Sequence, residues 1–127
     1  EPQPLGPNRF WHGWHREVGD ERFFLGIPVE SGRVRDTDSC RMREAIGAVL
    51  AELPEVCVRV SCNQDLLLTH VPAAKRAFVD ATLSAHGVRP AGAISLFRRQ
   101  AFGCPALPTC GLAMTDCVKA LLGATVS

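Results

Sequence analysis

Apolar positions along the chain repeat with two spacings, and the switches between them mark out the elements. Residues 23–29 form a mostly apolar run between the turn signals Gly19-Asp20 and Ser31-Gly32. Such a run predicts a strand. Met42, Ala45, Ile46, Val49, Leu50 and Leu53 then recur at helical spacing and give one apolar face. Asp36 to Ser39 supply N-cap candidates for this helix, and Pro54 stops it. Val56, Val58 and Val60 alternate with Cys57, Arg59 and Ser61, which predicts a strand with one buried face. Cys62-Asn63-Gln64 is a tight polar link, and residues 65–69 read as the antiparallel return strand. Pro72 suits the first turn of a second helix, buried through Phe78, Val79, Thr82 and Leu83 and ended by Gly87. Residues 96–104 are a further strand candidate with Arg98 and Arg99 inside it.

The predicted order is strand, helix, strand, strand, helix, strand. This is an α+β arrangement, the split βαβ or ferredoxin-like unit (βαββαβ), with helices on one face of an antiparallel sheet. Residues 1–15 read as an N-terminal arm or linker, 16–100 as the ferredoxin-like unit, and 101–127 as the start of a separate Cys-containing loop and helix. The fold by itself implies no chemistry, because many unrelated functions use it.

Composition narrows the class. The chain has 127 residues, 46% hydrophobic and 21% charged, which suits a globular domain with a real core. Its formal net charge of +1 gives no reason to expect nucleic acid or an anionic membrane surface as partner. No apolar run is long enough to span a bilayer, and no signal peptide is visible. The six cysteines are irregularly spread, which suits a reducing cytoplasm better than a disulfide scaffold. The chain begins Glu-Pro-Gln-Pro without an initiator Met and reads as a piece of something larger.

Chemistry concentrates in residues 102–119. Cys104 and Cys110 flank five residues, of which Pro105 and Pro108 stiffen the loop. After Cys110 the spacing turns helical through Leu112, Met114, Thr115, Val118, Leu121 and Leu122, with Thr109 as a plausible N-cap. Cys110 would then lie in the first helical turn, where free N–H groups and the helix dipole favour a thiolate. Two pinned thiolates suit an iron–sulfur cluster. Inert buried thiols and a disulfide are the competing readings, and spacing alone does not choose among the three. Zinc is disfavoured, since structural sites place cysteines closer and add a second pair.

Other polar residues carry two readings each. His12 and His15 sit among Phe10, Trp11 and Trp14. They are metal ligand candidates, but no carboxylate or Cys stands beside them in sequence, so aromatic anchoring of the arm is preferred. Arg41 and Arg43 are solvated residues of a first helical turn, or one of them reaches an anion. Cys117 reads as a core thiol.

Two blocks together carry a resemblance. Arg59-Val-Ser-Cys-Asn63-Gln64-Asp-Leu-Leu-Leu lies on the hairpin, and Cys104-Pro-Ala-Leu-Pro-Thr-Cys110-Gly-Leu-Ala-Met follows the second helix. They resemble the sirohaem-dependent nitrite and sulfite reductases, with an Arg-aliphatic-Thr-x-Asn-Gln-Asn hairpin and a Cys-x5-Cys loop. Gly13-Trp14-His15 and the segment from Gly26 to Arg33 resemble the start of that family's repeated half-domain. The resemblance implies a [4Fe–4S] cluster bridged to sirohaem and six-electron reduction of sulfite to sulfide or nitrite to ammonia. It implies that Cys104 and Cys110 are the first two of four cluster ligands and that Arg59, Asn63 and Gln64 face the sirohaem. It also implies an electron donor, ferredoxin or a flavoprotein, and further domains holding the downstream Cys-x3-Cys pair and most substrate-binding residues. No catalytic residue is assigned here. Ser61 and Asp65 depart from the family's Thr and Asn, and an acid at 65 would repel a polycarboxylate unless it faces away. Two other readings are a cluster-containing enzyme of corrin biosynthesis and a non-enzymatic ferredoxin-like interaction module.

Overall fold

The computed structural model describes residues 11–101, 106–107, 110–115, 117 and 120, without the side chains of 96 and 100. Four antiparallel strands form one sheet in the order β1-β2-β4-β3. They are β1 (Gly13–Arg16), β2 (Phe23–Ile27), β3 (Cys57–Val60) and β4 (Leu66–Val71). Helices α1 (Met42–Glu52) and α2 (Arg76–Ala85) join them, and the α+β class predicted from the sequence is the one observed.

The register explains which residues are buried. Leu25 pairs with Leu68 and Ile27 with Leu66, so these four share a face. They pack in one core with Ala45, Ile46 and Val49 of α1 and with Val79 and Leu83 of α2. Leu68, Val49, Val71 and Val79 are the largest side chains fully buried there. Each such side chain contributes about 1.5–3 kcal/mol through removal from water.

Caps fix the helix ends. The Asp36 carboxylate accepts hydrogen bonds from the N–H groups of Arg43 and Glu44 at 2.9 and 3.2 Å, closing the start of α1 from a preceding turn. Arg41 resolves towards an internal partner. Its guanidinium pairs with Glu44 at 3.3 Å and donates to the Ala85 carbonyl at 3.4 Å. That carbonyl lies at the C-terminus of α2, the negative end of its dipole. Beyond α2, Gly87 N–H donates to Ser84 O and Val88 N–H to Leu83 O, the two bonds of a Schellman ending. Gly87 has φ +77°, and a Cβ added there would lie 2.2 Å from Ser39 O. Gly87→Ala should therefore destabilise the fold by about 2 kcal/mol or more in chemical denaturation, from left-handed backbone strain plus the clash.

Two expectations need correction. The strand predicted over 96–104 is not formed at its start. Leu96–Gln100 is a short helix, α3, whose Ser95 Oγ accepts from Arg98 N–H at 3.2 Å. A capping serine favours a helical turn, and the sheet edge such a strand would join is already filled. Strand β1 pairs there with β2, Gly13 opposite Gly26 and Arg16 opposite Phe23. Residues 102–105 of that predicted strand lie outside the described ones. The second correction concerns β3. Val56 is buried, but Val58 is 40% and Val60 80% exposed. They share the helix-side face through their partners Leu68 and Leu66. Because β3 is the edge strand, neither helix reaches over its far end.

Candidate functional site

The β3–β4 hairpin carries Arg59, Asn63 and Gln64, and its turn is built by Ser61. Ser61 Oγ accepts from the N–H groups of Asn63 and Asp65, both at 3.2 Å. Ser61 N–H donates to Asp65 O at 2.9 Å, closing a three-residue loop. The last loop residue, Gln64, has φ +63°. A three-residue hairpin places a left-handed residue there. The Gln64 stem packs against Gly32, where an added Cβ would meet it at 3.1 Å. Arg59 pairs with Leu67, on the face opposite the helices, and is exposed, as its alternation with the valines predicts. Gln64 is also exposed and Asn63 half-buried. No hydrogen bond joins the Arg59 or Gln64 side chain to another described residue, so their donors face outward without an acceptor.

Asp65, next in the chain, turns the other way. It is 3% exposed, and its Oδ2 lies 2.9 Å from Nε2 of His12. Burial pushes the Asp65 carboxyl above the usual carboxylate range; the His12 hydrogen bond and charge, and the Val29 N–H, pull it back only in part. The acid that departs from the family pattern is thus paired inside the protein. The sequence reading found no carboxylate beside His12 because the partner lies 53 residues away. Gly26 makes room for this pairing. A Cβ there would lie 2.0 Å from Trp11 O, so the backbone preceding His12 crosses directly over β2.

His15 is engaged locally. Its ring stacks on Phe24 at 5.2 Å and meets the edge of Trp11 at 5.4 Å, while Nε2 bonds to His12 O at 3.0 Å. Trp14 faces the other side and donates to Asp80 of α2 at 2.9 Å. The aromatic segment thus lies against both faces of the sheet near its edge.

Of the predicted thiol pair, Cys104 lies outside the described residues. Cys110 is an exposed free thiol. It precedes a turn rather than standing in the first turn of a helix, which corrects its predicted place. Ala113 N–H donates to Cys110 O at 3.2 Å, and residues 111–115 are turn and bend. Gly111 disfavours helix propagation at this point. Leu112 and Met114, predicted on a buried helical face, are each 94% exposed. Cys117 is exposed, not a core thiol, and its sulfur lies 3.6 Å from Thr115 Oγ1. Among the described residues no group of three or more His, Cys, Asp and Glu is arranged to hold a metal ion. Nor is any described helix long and apolar enough to cross a membrane.

No family model matches the chain. Curated relatives do. It is 40% identical over 126 residues to a sulfite reductase [ferredoxin] of Synechococcus elongatus, covering 96% of this chain and 20% of that protein. This chain belongs to the sulfite reductase family. The sulfite reductase [NADPH] hemoprotein beta-component of Methylorubrum populi is 41% identical over 106 residues, 83% of this chain and 17% of that protein. The protein of that name from a Paenibacillus species is 34% identical over 125 residues, 92% and 21% of the two chains. The chain spans about a fifth of the length of these relatives. With this sulfite reductase chain the hairpin, its serine brace and the exposed Cys110 fall inside the shared stretch.

Proposed function

We propose that the chain forms part of an enzyme that reduces sulfite to sulfide with six electrons, using sirohaem and a [4Fe–4S] cluster. The observation that carries this reading is the likeness to sulfite reductases over 96% of the chain. In it, the ferredoxin-like unit takes in β1 and runs to about residue 100, and residues 101–127 open the cluster-bearing part. Nitrite remains the second candidate substrate implied by the hairpin and Cys-x5-Cys motifs.

The chemistry of the described side chains fits such a cofactor pair. Arg59 and Gln64 present donors with no acceptor of their own, on a turn held by Ser61. A macrocycle bearing many carboxylates needs guanidinium and amide donors fixed in place. Asn63 would join them, and Asp65 is kept out of the way by His12. Cys110, exposed on a turn, would supply one thiolate to the cluster and Cys104 a second. The other two belong to residues outside this chain. When bound, the cofactors supply electron transfer and the site of sulfur reduction, while these residues bind, orient and neutralise charge. The donor would be ferredoxin or an NADPH-linked flavoprotein, and the setting cytoplasmic.

The test is made on full-length protein. It should contain about four cluster irons and a sirohaem iron per chain, show a chlorin-like absorption band, and oxidise a reduced donor only when sulfite is added. Iron-free protein with no such band, from an anaerobic preparation, would refute the proposal.

A further inference from the structure

A cavity of about 490 Å³ lies on the helix side of the hairpin, between the end of β2, the C-terminal end of α2 and α3. That size suits a small organic ligand. Three guanidinium groups line it, those of Arg89, Arg98 and Arg99, against the carboxylates of Glu30 and Asp65. Both acids are already engaged, Glu30 with Arg98 at 3.2 Å and Asp65 with His12 at 2.9 Å. Arg89 and Arg99 make no hydrogen bond or ion pair to another described residue.

Arg99 is the informative one. Its Nε is buried without a hydrogen-bond partner, a state shared among the described residues only by Arg76 Nε. Arg76 has a compensation, since its guanidinium lies 4.0 Å from the centre of the Phe23 ring. Arg99 has none. A guanidinium drawn out of water without an acceptor is costly, and an anion in the cavity would relieve it through the fork of its outer nitrogens. The remaining wall is apolar, with Val29, Val88 and Ile94.

We infer that this cavity binds an organic anion, a carboxylate on a short apolar body, with Arg99 and Arg89 holding the charged end. The inference does not depend on the sulfite reading, because the site stands on different residues from the exposed Arg59 and Cys110.

Calorimetric titration of full-length protein with hexanoate tests it. Binding with a Kd of about 1 mM or tighter is expected, weakening as salt is raised. Hexanol, of similar shape but uncharged, should bind at least about tenfold more weakly. Arg99→Gln should raise the hexanoate Kd about tenfold, and Arg99→Lys by a smaller factor, since it keeps charge and loses the fork. Should Arg99→Gln fail to fold, Arg89→Gln, on an exposed residue, carries the same expectation of weaker binding. No binding, equal binding of hexanol, or an unchanged Kd in the folded variants would overturn the inference. Sulfite-dependent activity measured on the same preparations reads out the proposed function separately.

Discussion

Replacing Cys110 by serine in the full-length protein is expected to remove most of the iron and acid-labile sulfide and to lower sulfite reduction by at least about a hundredfold. Cluster irons are held by thiolates, and a serine hydroxyl is a far poorer ligand at neutral pH. Loss of a direct ligand should exceed the ten- to hundredfold cost of disturbing an outer neighbour. Cys117→Ser is the matched control. Cys117 is also exposed, and its sulfur already meets Thr115 Oγ1. It should retain full iron content. Equal loss in both variants, or in neither, would take Cys110 out of the cluster.

Asp65→Ala should be the most destabilising of the single substitutions considered, by about 2–4 kcal/mol in denaturant unfolding. It orphans the buried His12 ring and the Val29 N–H together, each a buried polar group losing its partner. Asp65→Asn keeps an oxygen for the Val29 N–H and should cost less. The pH dependence separates the two effects. Folding raises the Asp65 carboxyl above its ordinary value, chiefly by burial. Between the unfolded and folded values the native state holds more protons, so stability falls as pH rises through that window. Asparagine carries no such term. The stability of Asp65→Asn relative to the parent should therefore increase as pH is raised from about 3 and then level off. A gap that moves the opposite way would mean that the ion pair, not burial, dominates at this site.

Local sequence carried the elements whose signals are local. The α1 stripe, the stop at Pro54, the hairpin link and the Gly87 terminator all depend on residues a few positions apart. Arg59 was legible as outward-facing because a strand alternates. The failures depend on distant chain. Residues 96–100 look like a strand only until β1 is known to fill the neighbouring edge. Val58 and Val60 have a buried pattern on an edge no helix covers. The His12–Asp65 pair joins residues 53 apart, and nothing in either neighbourhood announces it. The serine brace was within reach. Ser61 lies where a hydroxyl can accept from the loop N–H groups, which is the chemistry its type offers at turns.

The sheet takes its outer strand from before β2, not from after α2. All four strands and both main helices therefore lie between residues 13 and 85. During synthesis this unit has everything it needs once the Gly87 ending has left the ribosome, before Cys104 and Cys110 are translated. A nascent chain can thus complete its first folding step without iron, and metal delivery becomes a later event acting on a platform already in place.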